Sequence, residues 1–141
     1  MKKIGLIVLS VAGLLAAVGL TIALPRGALE GELVTEPVAD WSFMGRSKRC
    51  QLELVPEDPH SQFLACKQAN GRLYVRAILA PNKRWPKTIS AHPLVRVKID
   101  EKVYERRAVP ATALEERISV LGGSPENPPP ETTLMWRLDP R

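Results

Sequence analysis

A short basic cluster, Lys83-Arg84-Trp85-Pro86-Lys87, holds the residue types that could do chemistry at close spacing. Proline suits the first turn of a helix, so the cluster predicts the start of a short helix that must end before Pro93. A phosphate group favours such a start, where nearby cations add to the free amides and the helix dipole. The cluster is therefore a candidate phosphate site, although a basic run beside a proline is also typical of a solvated surface.

The two cysteines, Cys50 and Cys66, permit a second inference. If the strands that end at Val55 and start at Gln62 are neighbours, residues whose numbers sum to about 117 lie opposite each other, and the cysteines sum to 116. With a register sum of 117, an odd number, the two even-numbered cysteines would point to opposite faces of the strand pair. A bulge would bring both to the inward face. An oxidising compartment would then permit a disulfide. Two buried thiols are the alternative, and the absence of a Cys-x-x-Cys arrangement disfavours a redox-active pair.

Other catalytic patterns are missing from the sequence. It has no metal-ligand spacing of histidine, cysteine or carboxylate residues, no nucleophile elbow and no Walker-type glycine loop. The sequence therefore predicts no metal site and names no catalytic residue.

The elements that must position these residues are short. Thirteen prolines and nine glycines divide the chain into segments whose alternation of apolar and polar residues suits strands. Asn70-Gly71 predicts a tight hairpin turn, and Asp100-Glu101 predicts a second hairpin. The predicted strands are Gly31 to Val34, Arg49 to Val55, Gln62 to Gln68, Arg72 to Ile78, Leu94 to Ile99, Val103 to Val109 and a last one through Leu134, Trp136 and Leu138, with Trp41 to Phe43 in a loop or a further short strand.

A second helix is predicted between the second hairpin and the last strand. Thr112 and Glu115 form a capping-box pattern, and Gly122-Gly123 would end the helix. Its apolar stripe is Leu114, Ile118 and Leu121. The fold class that follows is mainly β, with one or two short helices.

The following four segments carry a resemblance to a known superfamily: Gly71-Arg72-Leu73-Tyr74-Val75, Lys83-Arg84-Trp85-Pro86, His92-Pro93-Leu94-Val95-Arg96-Val97 and Val103-Tyr104-Glu105-Arg106-Arg107-Ala108. With their order of hairpin, helix, hairpin, helix and closing strand, they resemble the split β-barrel flavin-binding proteins, which include pyridoxamine-phosphate-oxidase-like and deazaflavin-dependent nitroreductase-like families. The resemblance spans about Gly31 to Arg137. It implies a small antiparallel split barrel.

The resemblance also implies a homodimer that binds FMN or a deazaflavin near its interface, with basic residues on the phosphate. The candidates are Arg76, Lys83, Arg84 and Lys87, while Trp85 would cover the ring. The cofactor would supply the chemistry of an oxidoreductase. Trp85 could equally be a core residue, and the alternative function is a non-catalytic membrane-anchored β-barrel that binds a partner or an amphiphile without a cofactor.

The N-terminal segment, residues 1 to 27, predicts a membrane location. After Lys2 and Lys3, the 21 uncharged positions from Ile4 to Leu24 reach roughly 30 Å as a helix, enough for a single transmembrane span or for a cleaved signal. The paired lysines favour a cytoplasmic N-terminus, which would place the domain of residues 28 to 141 on the periplasmic side of the inner membrane. Without those lysines the net charge of +5 falls to about +3, with acidic residues interspersed, so no nucleic-acid partner is predicted.

Overall fold

The computed structural model of the chain describes residues 27–38, 40–55 and 57–141. The predicted membrane segment lies outside these residues except for Gly27. Within the described ranges, no helix is long and apolar enough to cross a membrane.

Seven strands and two α-helices make up the described part of the domain. They follow the order that the sequence predicts, with a helix after each of the last two hairpins. The strands are β1 (Glu32–Val34), β2 (Ser47–Leu54), β3 (His60–Ala69), β4 (Arg72–Ala77), β5 (Leu94–Ile99), β6 (Lys102–Pro110) and β7 (Leu134–Pro140), the helices are α1 (Trp85–Ala91) and α2 (Leu114–Leu121), and short 3₁₀ turns cover Ser42–Met44 and Ala80–Asn82.

Six of the strands close into an antiparallel barrel. Their order around the barrel is β6-β5-β2-β3-β4-β7, and β7 returns to pair with β6. The long strand β6 pairs with β7 over its second half, while its first residues pair in parallel with β1, which stands outside the ring. The mainly β fold class that the sequence predicts is confirmed. The architecture is compatible with a split barrel.

Both hairpin turns form where the sequence predicts them. Asn70 and Gly71 take positive φ values of 54° and 75° between the paired residues Ala69 and Arg72. Asn and Gly tolerate this left-handed region, which a tight hairpin turn requires. The Asp100 turn joins β5 to β6 in the same way, with a φ of 56°.

Alternate residues of the strands fill the barrel interior. The buried cluster contains Leu52, Leu73, Val75, Val95 and Val97, each at most 1% exposed. These branched apolar side chains stabilise the domain, because burial of one contributes about 1.5–3 kcal/mol.

One inward position of β6 is charged. Arg106 lies between the core residues Tyr104 and Ala108 and is only 5% exposed. Its guanidinium carbon lies 4.9 Å from the centroid of the Trp41 ring, its Nε has no hydrogen-bond partner, and no ion pair reaches it from the described part of the chain. A cation–π contact contributes about 2 kcal/mol when it is desolvated, which offsets only part of the cost of burying a charge.

A second, smaller apolar cluster lies outside the barrel, beneath α2. Tyr74 and Met135 point outward from β4 and β7 and pack against Val120 and Leu121 of the helix. This arrangement corrects the predicted stripe, because Leu114 is 44% exposed. The predicted capping box is also absent, since Ala113 occupies the N-cap position without a side-chain hydrogen bond.

Polar contacts fix α2 in this position. The Tyr74 hydroxyl donates to Glu116 Oε2 over 2.6 Å, and Arg137 Nη1 donates to both oxygens of the same carboxylate at 3.1 and 3.3 Å. The hydrogen bond from Tyr74, followed by those from Arg137, lowers the pKa of Glu116. Burial, followed by the hydrogen bond to Glu116, raises the pKa of Tyr74 to about 12.

A disulfide joins Cys50 to Cys66, whose Cα atoms are 5.7 Å apart. The predicted strand register was wrong by three residues, because β3 begins at His60 and paired residues such as Leu54 and His60 sum to 114. This even sum puts both cysteines on the inward face and requires no bulge. Cys66 lies opposite Lys48, two residues from Cys50 along β2, so the disulfide crosses the pair of strands diagonally.

The structure also refines two smaller segments. Of the two alternatives for Trp41 to Phe43, the strand does not form: the segment lies in the connection between β1 and β2, where Trp41 precedes a 3₁₀ turn, and both Trp41 and Met44 are buried. Leu134 alternates with Trp136 and Leu138 along β7, but it is 41% exposed at the start of the strand while the other two are buried.

Candidate functional site

The structure gathers four of the five predicted cofactor-binding residues at one open groove on the outside of the barrel. The groove has a volume of about 560 Å³, within the range of known ligand sites. The residues that line it come from β3, from the end of β4 and just beyond it, and from the segment that leads into α1; they are Gln62, Phe63, Leu64, Ala65, Arg76, Ile78, Lys83, Arg84 and Trp85. We call this the cationic groove.

Three cations of the cationic groove have no counter-ion. Arg76, Lys83 and Arg84 make no ion pair with any residue that the structure describes. The lining contains no carboxylate to compensate them. The groove therefore presents an uncompensated positive charge, which attracts an anionic ligand.

Further positive charge lies near the cationic groove. The pKa of Lys67 on β3 is lowered, mainly by burial and additionally by the positive charge of Arg76. On the neighbouring strand β2, the guanidinium carbon of Arg49 lies 4.3 Å from the centroid of the Phe63 ring. The β3 side of the groove is therefore bordered by two cations that the sequence analysis did not single out.

Apart from Gln62, apolar side chains form the rest of the groove surface. Phe63 is 62% exposed and Ile78 is 48% exposed, and a ligand in the groove would cover both side chains. Large apolar side chains that stay exposed beside a pocket are a common mark of a binding site. Sequence reasoning missed these two residues because only the order of β2, β3 and β4 in the sheet brings Phe63 beside Arg76 and Lys83.

Trp85 belongs both to the core and to the cationic groove. Its ring centroid lies 5.3 Å from that of the buried Trp136, and its side chain is partly buried against the barrel. It also lines the groove. The two interpretations of Trp85 in the sequence, core residue and groove residue, are thus compatible.

Lys87 does not join the other predicted residues. It points from α1 into a separate groove that also contains Pro81, Pro86 and Leu134. The helix start contributes less to the cationic groove than expected, because α1 has only seven residues and Pro86 has no amide hydrogen. Side-chain charge, rather than helix amides, gives the groove its positive character.

The cationic groove has the charge and the apolar surface to bind and orient a ligand. Its lining contains no histidine, cysteine, aspartate or glutamate. Redox chemistry at this groove would be supplied by the bound molecule.

The functional proposal rests on the geometry of the cationic groove, because two comparisons with known proteins gave no match. No protein-family model matches the sequence, and a comparison with curated proteins finds no match.

Proposed function

We propose that the barrel binds a phosphorylated flavin, FMN or a deazaflavin, in the cationic groove and works as an oxidoreductase-like protein. The observation that carries this proposal is the set of three cations without counter-ions, Arg76, Lys83 and Arg84, beside exposed apolar side chains. A flavin nucleotide has the matching parts, an anionic phosphate and a flat, largely apolar ring.

The residues of the groove fit these two parts. Arg76, Lys83 and Arg84 would hold the phosphate, for which arginine offers paired donors and lysine a compact charge. Phe63 and Ile78 would contact the ring, and Trp85 would cover it from the side of α1. When bound, a flavin supplies hydride or electron transfer, while the protein contributes binding, orientation and exclusion of water.

The molecular setting of this activity is part of the proposal. The resemblance to split-barrel flavoproteins supports a homodimer, and the apolar N-terminal stretch supports a single-pass anchor in the inner membrane with the barrel on the periplasmic side. A disulfide between Cys50 and Cys66 is in keeping with an oxidising compartment.

The test is a titration of the full chain with FMN and with riboflavin, which lacks the phosphate. A double variant, Lys83→Ala with Arg84→Ala, should weaken FMN binding at least about ten-fold, because loss of one charge-assisted hydrogen bond costs about 1.5–3 kcal/mol. Riboflavin binding should change little. The matched control, Lys102→Ala with Arg107→Ala, removes two exposed cations of β6 that do not line the groove and should leave both affinities unchanged.

Equal losses for FMN and riboflavin would show that the two cations do not hold a phosphate. An unchanged FMN affinity in the Lys83 and Arg84 variant would remove the cationic groove from consideration.

A second candidate function uses the same groove without a cofactor. Phe63, Ile78 and the neighbouring Leu79, which is 55% exposed, give the groove an apolar rim beside its cations. Such a surface suits a partner protein or an amphiphile at the membrane surface, with binding that weakens as salt rises. This module would be colourless and would take up no added flavin.

A further inference from the structure

A second groove lies on the other side of the segment that carries Lys83 to Trp85. Its volume is about 720 Å³, larger than that of the cationic groove. It runs between the 3₁₀ turn at Ala80–Asn82, helix α1 and the segment that leads into β7. We call it the proline groove, and its lining residues are Ala80, Pro81, Pro86, Lys87, Ser90, Ala91, Glu131, Thr132 and Leu134.

The surface of the proline groove offers few hydrogen bonds to a ligand. Pro81 and Pro86 have no amide hydrogen, and the Ser90 hydroxyl already donates to the carbonyl oxygen of Pro86 over 2.9 Å. The carbonyl oxygen of Thr132 accepts the amide of Ala80 at 3.0 Å, and Leu134 pairs with Ala77 in the sheet. A peptide that needs backbone partners would find almost none here, whereas a hydrocarbon chain needs none.

The shape of the proline groove is fixed by rigid parts. The two prolines have fixed φ angles, and Pro86 is buried against the barrel. The exposed side chain of Leu134 and the small side chain of Ala91 leave open the space between them. The groove is thus formed before any ligand enters, which keeps the entropic cost of binding low.

Two charged residues line the proline groove, and they are not paired with each other. Neither Lys87 nor Glu131 makes an ion pair within the part of the chain that the structure describes. Lys87, on α1, is the free cation that could receive an anionic head group. Glu131, on the segment before β7, would repel such a head and so direct it toward Lys87.

We propose that the proline groove binds a long-chain anionic amphiphile, of the fatty-acid class, with its hydrocarbon chain along Pro81, Ala91 and Leu134 and its carboxylate at Lys87. This site is separate from the proposed flavin site, and its occupancy does not depend on flavin binding. A ligand of this class partitions into lipid, so this argument for its supply rests on the membrane anchor that is part of the proposed function.

The experiment uses the full chain in phospholipid nanodiscs and a long-chain fatty acid that carries a photoreactive diazirine on its chain. After irradiation, peptide mass spectrometry locates the labelled residues. Labelling should concentrate on the peptides that contain Pro81 to Ala91 and Glu131 to Leu134. Labelling that is spread evenly over the exposed surface would overturn the proposal.

Variants test whether the labelling comes from the proline groove. Ala91→Trp should fill the groove from an exposed position, and Leu134→Glu should place a charge in its apolar part; each should reduce labelling at least five-fold. Leu94→Glu is the matched control, because Leu94 is 38% exposed at the start of a strand, compared with 41% for Leu134, and does not line the groove. Circular dichroism verifies that each variant is folded. Full labelling in both folded groove variants would overturn the proposal.

The head-group assignment has its own readout. Lys87→Ala should reduce labelling by the free acid but not by its methyl ester, and Lys102→Ala should change neither. Glu131→Gln should increase labelling by the free acid, because it removes a repulsive charge. The reverse effect of Glu131→Gln, a decrease, would indicate a zwitterionic ligand and would refute the anionic class.

Discussion

Substitution of Tyr74 by phenylalanine tests the contact that holds α2 on the barrel. The change removes only the hydroxyl that donates to Glu116 over 2.6 Å and keeps the ring that packs beneath the helix. Hydrogen bonds to charged groups contribute about 1.5–3 kcal/mol to stability. We expect a loss at the lower end, about 1.5 kcal/mol, because Glu116 retains its two hydrogen bonds from Arg137 and is not left unpaired.

The same substitution should depend on pH in a defined direction. The folded-state pKa of Glu116 is lowered, mainly by the Tyr74 hydrogen bond, so the ionised carboxylate stabilises the fold above its unfolded-state pKa of about 4.5. This stabilisation is lost as the pH falls through the folded-state pKa. The difference between wild type and Tyr74→Phe should therefore be largest near pH 7 and should shrink below about pH 4.

Thermal and urea unfolding of both proteins between pH 7 and pH 3 would measure the effect. For a domain of this size, about 1.5 kcal/mol corresponds to a shift of roughly 6 °C in Tm. A Tyr74→Phe variant as stable as wild type at pH 7 would refute the reasoning. So would a loss of stability that is the same at pH 7 and pH 3.

Two further predictions concern the barrel interior. Cys50→Ala with Cys66→Ala removes a disulfide between residues 16 apart in sequence and should destabilise the domain by about 3 kcal/mol. A reductant should lower the urea midpoint of wild type to that of the double variant, and a wild-type midpoint unaffected by complete reduction would contradict this. Arg106→Met removes a buried charge and its contact with Trp41, and we expect it to stabilise the domain by about 1 kcal/mol in urea unfolding. A loss of stability would mean that the buried guanidinium has favourable interactions beyond those described.

Local signals in the sequence predict the elements well. The strand Leu94–Ile99 has the predicted bounds, because its alternation is regular and both flanking turns are marked by Pro93 and Asp100. The turn at Asn70-Gly71 is equally local, since the two residue types themselves favour positive φ. In these places neighbouring residues decide the structure.

Non-local choices are harder to read from the sequence. The register of β2 and β3 depends on where the intervening turn closes, and the inclusion of His60 and Ser61 in β3 shifted it by three residues. Which face of α2 is buried depends on the side chains that the outer surface of the barrel presents to it. Val120 packs against the cluster of Tyr74 and Met135, whereas Leu114 stays exposed. Apolar spacing alone could not reveal this partner surface.

The candidate site also combines features that depend on neighbouring residues with features that depend on the order of the strands. The basic cluster is local, and from it the sequence named Lys83 and Arg84 as candidates, which the structure places in one groove. The apolar wall formed by Phe63 requires knowledge of the order of the strands, and so does the separation of Lys87 into another groove. Residue types alone therefore indicated the charge of the site but not its shape.

The most direct test of the proposed function is the visible absorption spectrum of the full chain, purified gently and then titrated with FMN and a deazaflavin. Mass spectrometry of any molecule released on denaturation would identify what the protein retained. We predict a flavin or deazaflavin bound at near-stoichiometric amount, either retained or taken up on titration. A folded protein that is colourless and binds neither cofactor would contradict the account.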